Sequence, residues 1–420
     1  MEAARHETRC DDASASFGPI LKFAWFAMSR VMLPRRLGAL AARSTRLTRA
    51  ASTLAPPDPN VDFESFAFGL NDVRTEWMWH ATFDAASGEW SKGGLVPHGP
   101  LQLEPSATVL NYGQCIFEGL KAFRQPDGGI GIFRPDMNAA RFGEGAARML
   151  MPQVPAETFV AACEAVVAAN AHWTPPHKGG TLYLRPLLFG SGAALGVAPS
   201  PQTTFCVYSS PVGNYFKGGV GEAPPITLEV SSAYRRATPG GAGSTKAAGN
   251  YAPTFVASKE CKGRGHSEVL FVDALTSSVI EEAGASNFFA VLPFDGGLEL
   301  VTPPLDASTI LPGVTRSSVL TLARDELVHA GLGLTKVSER PIHLDELAKW
   351  SEAFCTGTGA SIASVGQVTV PTGVGAKPAE YKTAGWGAVT KAVAQRLFAI
   401  QWGECEGEQS RGWMHAVRPR

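Results

Sequence analysis

Apolar positions in this chain follow two spacings, and each predicts a kind of element. Pro135–Met151 and Ala156–Ala171 carry the helical pattern. Asp136 stands in the opening turn of the first, where a negative charge suits the helix dipole. Short strands are predicted around Trp77–Phe83, and the apolar runs Thr181–Phe189 and Thr203–Ser209 read as strands. Beyond the Gly-rich connection Pro211–Gly221, Ile226–Val230 and Val269–Val272 also read as strands. Ala252–Lys262 reads as a helix with Gly265 just past its end. Asn287–Leu292 and Leu298–Thr302 flank Asp295-Gly296-Gly297, a hairpin signal. Val314–Ala330 and Trp386–Trp402 predict two more helices. Strands and helices do not alternate as in a doubly wound sheet. The pattern therefore favours an α+β chain of two domains with a cleft between them. The expected organisation is a leader over 1–58, a small domain over 59–210, a connecting loop over 211–221 and a larger domain over 222–420.

The leader is set apart by composition. Met28–Ala55 carries Arg30, Arg35, Arg36, Arg43, Arg46 and Arg49 among Leu, Ala, Ser and Thr, with no acidic residue. That pattern fits an organelle transit peptide, or else a basic arm without fixed structure. Arg and Leu outweigh Ser, which points to the mitochondrial matrix, with the plastid as the alternative. Glu2, Glu7, Asp11 and Asp12 are unlike a presequence, so Met28 or Met32 is the expected start. The rest of the chain excludes several classes. Its 420 residues are 45% hydrophobic with a formal net charge of -1, which gives no general attraction to nucleic acid or anionic membranes. No apolar run reaches the roughly 20 residues that span a bilayer. The seven cysteines are dispersed without metal-ligand spacing, so reduced thiols and no metal are expected.

The candidate chemistry centres on Lys246, in ATPGGAGSTKAAGNY. A lysine among small residues beside a packed ligand loses solvation, and its amine becomes a nucleophile. Taken alone, the stretch also fits a Gly-rich loop with a chance lysine. Ile310–Arg316, ILPGVTR, sets Pro-Gly before a helix start whose free amides at Val314 and Thr315 suit a phosphate, or it is an ordinary capped helix. In VIEEAGASNFF, Glu281 or Glu282 is a candidate partner for a protonated ring nitrogen; such pairs are also common in solvated turns. CTGTGASI is a small-residue turn able to form an anion nest, or simply a tight turn. Arg141 follows Pro135 on a predicted helix, where an ion-pair role is usual. Arg185, inside an apolar run, needs an anion because an unpaired buried cation is costly. GGAGSTK is not a P-loop, since Thr precedes the Lys.

Together these pieces resemble the fold-type IV pyridoxal-phosphate enzymes, and among them the branched-chain amino-acid aminotransferases of plants and algae. The resemblance spans roughly Phe63–Trp413. It rests on LNYGQCIFEGLKAFR, FRPDMNAARF, LYLRPLLFGSGAALGVAP, SPVGNYFKGG, RATPGGAGSTKAAGNY, ILPGVTR and FCTGTGA in the family's order. It implies pyridoxal 5'-phosphate as cofactor and Lys246 as the Schiff-base lysine. It further implies Glu282 on the ring nitrogen, Tyr251 on the ring hydroxyl, and Arg141, Val314, Thr315 and Thr358 on the phosphate. Tyr112, Arg185 and the Thr358–Gly359 turn are placed on the substrate-carboxylate side. Phe68, Phe117 and Tyr183 are implied as pocket walls, with Tyr215 on the interdomain loop. Leu195 and Val197 are implied to reach a partner subunit's pocket in a homodimer. The implied reaction moves the amino group of leucine, isoleucine or valine to 2-oxoglutarate, giving glutamate. Arg185 is the candidate reader of the γ-carboxylate. A D-amino-acid aminotransferase, an aminodeoxychorismate lyase or a non-catalytic cofactor carrier stand as alternatives.

Overall fold

A computed structural model describes residues 54–66, 73–214, 220–372, 377–405 and 410–419. Phe68, Tyr215 and residues 1–53 of the expected leader lie outside them. Residues 54–58, assigned to the leader by sequence, are packed. Leu54 joins the first core, Arg124 Nη2 donates to the Ala55 carbonyl (3.1 Å), and the Asp58 amide donates to the His172 carbonyl (2.9 Å).

Two sheets organise the described residues. The first runs Met414–Ala416, Ile130–Phe133, Leu120–Arg124, Thr181–Gly190, Gln202–Val212, Trp77–Asp84 and Glu89–Trp90. Cys115–Phe117 is a further strand on the edge of Thr181–Gly190. Thr181–Gly190 is central and almost wholly buried, which is why its sequence is a near-continuous apolar run. Helices Pro135–Arg148 and Ala156–Ala169 cover one face through Phe142 and Phe159, which meet Phe205 of the sheet.

The second sheet curls. Strands Ser286–Phe294, Glu352–Gly357, Ser361–Val370, Ile226–Val230, Glu268–Val272 and Val279–Ala283 pair in that order. The last then pairs back with the first, closing a ring of six strands. Period-two alternation divides their apolar residues between two cores. Phe288, Ala290 and Leu292 fill the ring, while Phe289 and Val291 face helices Val314–Asp325 and Ala388–Gln401. Each buried aromatic here contributes roughly 2–3 kcal/mol.

The helix limits shift for physical reasons. Val314–Asp325 is followed by a separate 3₁₀ turn, Leu327–His329, where the sequence pattern runs on to Ala330. Ala252–Thr254, holding Pro253, is also a 3₁₀ turn ahead of helix Phe255–Gly263. The last helix starts at Ala388 rather than Trp386. The buried Glu352 carboxylate accepts from the Val389 and Thr390 amides (3.1 and 2.7 Å), and the Trp386 indole donates to the Ala223 carbonyl (2.7 Å).

Candidate active site

Lys246 belongs to no long element, yet its backbone is held. The Phe117 amide donates to its carbonyl (3.1 Å), and Ala247 bridges to Ile116 on strand Cys115–Phe117. At Gly243 the backbone crowds the protein itself. A Cβ on Gly243 would lie 2.5 Å from both Ala237 Cβ and the Thr309 carbonyl. The Lys246 amine donates to Tyr251 Oη (3.1 Å) and sits 4.7 Å above the Phe117 ring. Burial, with Arg141 adding to it, pulls that amine down to about 8. Burial pushes the Tyr251 hydroxyl up to about 12.

Glu282 lines the same cleft. In the hairpin of Val279–Ala283 with Ser286–Phe294 it stands opposite Asn287, and strand alternation turns Glu281 to the other face. Its carboxylate is 2.7 Å from Arg236 Nη1 and accepts from the Leu311 amide (3.0 Å) and Asn287 Nδ2 (3.1 Å). Burial outweighs these contacts and raises the carboxyl to about 7. Glu281 keeps a buried oxygen with no hydrogen-bond partner.

An anion cradle lies across the cleft. Helix Val314–Asp325 begins after Gly313 with no side-chain cap, so its first amides, Val314 and Thr315 among them, lack intrahelical acceptors. A Cβ on Gly313 would lie 2.0 Å from Asn287 Oδ1, so only glycine lets this turn close. Thr356 brings a buried hydroxyl with no partner to the same cleft, and Thr358 Oγ1 donates to the Gly119 carbonyl (3.1 Å). Arg141 also lines it, but its guanidinium is already engaged: Nε and Nη2 reach the two Glu118 oxygens (2.7 Å each) and Nη1 the Pro312 carbonyl (2.9 Å).

The remaining wall comes from the first sheet. Tyr183 turns its hydroxyl toward Gly119, where a Cβ would clash at 1.9 Å. Arg185 stacks over Phe117 (4.9 Å) and donates weakly to Tyr183 Oη (3.4 Å), leaving its buried Nε without a partner. The Gly359 carbonyl accepts from the Lys121 amine. Tyr112 Oη donates to the Leu195 carbonyl, and Leu195 and Val197 are 82% and 88% exposed. Glu118, Lys121, Arg236 and Thr356 were not singled out from sequence. Glu118 and Lys121 carried the signal used for Arg185: a charge inside an apolar run.

One buried cleft thus holds a softened lysine amine, a phenol, a desolvated carboxylate and free amides. That donor set fits an aldehyde-bearing pyridine phosphate. Among the described residues no group of side chains could hold a metal ion, and no helix is long and apolar enough to cross a membrane.

Residues 115–368 match the family model for class IV aminotransferases. The chain is 41% identical to branched-chain-amino-acid aminotransferase 5, chloroplastic, of Arabidopsis thaliana over 91% of its length and 85% of that protein. It is 42% identical to branched-chain amino acid aminotransferase 1, mitochondrial, of Humulus lupulus over 84% of each. Its fold is similar to the Escherichia coli branched-chain amino acid aminotransferase structure (TM-score 0.64, 27% identity, 82% of this chain and 100% of that one). The same fold is seen in the Thermobaculum terrenum branched-chain amino acid aminotransferase in its PLP-form (TM-score 0.65, 23% identity, 82% and 99%).

Proposed function

The chain belongs to the class IV aminotransferases, in their branched-chain amino-acid family, and from that premise we propose how its own residues carry the reaction. It moves the amino group of L-leucine, L-isoleucine or L-valine to 2-oxoglutarate, in two half-reactions that share one site. Pyridoxal 5'-phosphate, when bound, supplies the aldehyde that takes up the amino group and a ring that withdraws electrons from the substrate Cα. The observation that carries this reading is the convergence of Lys246, Tyr251 and Glu282 on one cleft that ends in free helix amides.

Lys246 has two tasks: holding the cofactor between turnovers, and then taking the substrate's Cα proton at Nζ and delivering it. Its lowered basicity suits both, since a neutral amine is present near pH 8. Tyr251 orients Nζ through its hydroxyl. Glu282 holds the proton of the ring nitrogen, and a cation there would draw its carboxyl back down from about 7. The Val314 and Thr315 amides with the Thr315, Thr356 and Thr358 hydroxyls hold the phosphate. Arg141 supports that end by tying Glu118 to the Pro312 carbonyl.

Phe117 and Tyr183 form the apolar wall for the side chain. Arg185, stacked with a free buried Nε, reads the γ-carboxylate of 2-oxoglutarate. The Thr358–Gly359 turn receives the α-carboxylate. Leu195 and Val197, largely exposed next to Tyr112, pack into the partner's site in a homodimer; exposed apolar residues of this size commonly mark an interface. The Arg-rich leader directs the chain to an organelle, the mitochondrial matrix by its composition.

The test is an absorbance titration of the cofactor-loaded protein lacking residues 1–53. L-leucine alone should move the visible band into the near-ultraviolet, and 2-oxoglutarate should restore it. A band that answers only to D-amino acids, or to none, would overturn the reading.

A further inference from the structure

Lys121 is a half-buried cation that the reaction above does not use. It stands on strand Leu120–Arg124, opposite Tyr183 of the neighbouring strand. It lines a pocket of about 20 Å³ together with Thr315, Thr358, Ser361 and Gln401, and also a cavity of about 830 Å³. Its one hydrogen-bond acceptor among the described residues is the Gly359 carbonyl. No carboxylate there comes within ion-pair distance, and Lys178 and Glu404 at the cavity rim pair with each other. A half-buried ammonium that has no counter-charge gives up solvation for a single carbonyl, so folding alone does not explain it.

The carbonyl it holds belongs to the turn between strands Glu352–Gly357 and Ser361–Val370. Thr358, Gly359 and Ala360 lie between the two strands, and their amides have no backbone partner among the described residues. In a trans peptide the C=O and the next N–H point in opposite directions. Fixing the Gly359 carbonyl from behind therefore fixes the Ala360 amide in front, and a cation on that oxygen strengthens the amide as a donor. A turn of free amides is an anion nest.

We propose that Lys121 is the positioning residue of the substrate-carboxylate turn: by holding the Gly359 carbonyl it aims the Thr358–Ala360 amides and supplies the positive charge that offsets the bound carboxylate. The inference rests on the reading that this turn receives the α-carboxylate. The cofactor's phosphate is the other anion near enough to use the charge, and the experiment separates the two. Burial alone draws the Lys121 amine down to about 8, so the charge fades above that pH. The other titratable groups bordering this space are Tyr183 and, at the rim, Glu64, Lys178 and Glu404.

The experiment compares wild type, K121M and K121R as holoenzymes. K121M should raise KM for both L-leucine and 2-oxoglutarate about tenfold or more, the loss expected for a charge-assisted hydrogen bond. Its kcat should stay within about threefold and its pyridoxal phosphate affinity should not change. K121R should recover most of the KM. Wild-type KM should climb above pH 8, while that of K121R stays level. Unchanged KM in K121M, a fall in kcat alone, or a matching loss of cofactor affinity would each overturn the proposal. If K121M does not fold, the pH profiles decide: a parallel climb in wild type and K121R would sink it. If wild type fails to turn over L-leucine, the transamination reading falls. Binding of 4-methylpentanoate, leucine's skeleton without the amine, to wild type and the variants then tests the turn directly.

Discussion

Two buried arginine–carboxylate pairs face each other across the cleft, and they behave differently. Glu118, in the link between two strands of the first sheet, receives four donors: two from Arg141, one from Asn138 and one from the Gly119 amide. Burial would raise its carboxyl, but Arg141 foremost, with Lys246 and Asn138, offsets that and holds it low. Glu282 on the second sheet receives three donors, only one of them charged, and is raised to about 7. The first pair is satisfied by the protein alone and fastens its side of the cleft. The second is left short of positive charge on the face that lines the cleft, which suits a carboxylate that must take a cationic ring nitrogen. The same residue types become scaffold or chemistry according to how completely they are paired.

The largest expected effect tests whether Lys246 is the group the two pairs serve. Lys246→Ala should lower kcat with L-leucine on the order of 10⁴-fold or more while the chain stays folded by circular dichroism. Next comes the contrast itself. Glu118→Gln strips Arg141 of its counter-charge and should cost about 3–5 kcal/mol in denaturant unfolding of the cofactor-free protein. Glu282→Gln leaves Arg236 bonded to the Thr309 and Gly243 carbonyls, so it should cost less, about 1–3 kcal/mol, and lower kcat more than Glu118→Gln does. Equal stability losses would break the comparison.

Gly119→Ala pushes a methyl against the Tyr183 hydroxyl and should raise KM for L-leucine with a stability loss of about 1–3 kcal/mol, measured by steady-state kinetics and thermal melts. The pH dependence is subtler. The Lys246 amine attacks only when neutral, and its lowered value means it loses its proton near pH 8 instead of above 10. The rate at which cofactor-free protein captures pyridoxal phosphate should therefore rise about tenfold per pH unit below 8 and level off above it, followed by stopped-flow absorbance. A rate still rising steeply past pH 9 would show that burial does not soften this lysine. The smallest effect on the fold itself is expected from Val197→Asp: on an 88% exposed residue it should leave the melting behaviour nearly unchanged and shift the protein toward monomer in size-exclusion chromatography.

The local pattern already carried much of this molecule. Helical periodicity marked Pro135–Arg148 and Ala156–Ala169, and apolar runs marked the strands that became sheet centres, because burial on one stripe or on both faces leaves a periodic trace. Lys246 and the Val314 helix start stood out by their settings, each with an ordinary reading beside it, and the choice of Glu282 over Glu281 came from the family resemblance and not from the residues alone. What the sequence could not contain were relations between distant segments. The closing of six strands into a ring depends on Ser361–Val370 pairing in parallel with Ile226–Val230, far earlier in the chain. The engagement of Arg141 by Glu118, the approach of Arg236 to Glu282 and the grip of Lys121 on Gly359 are likewise pairings across 23 to more than 200 residues. Local composition fixes which groups are available. Only the packed chain decides which charges are neutralised and which are left waiting, because desolvation and Coulomb forces act through space and not along the backbone.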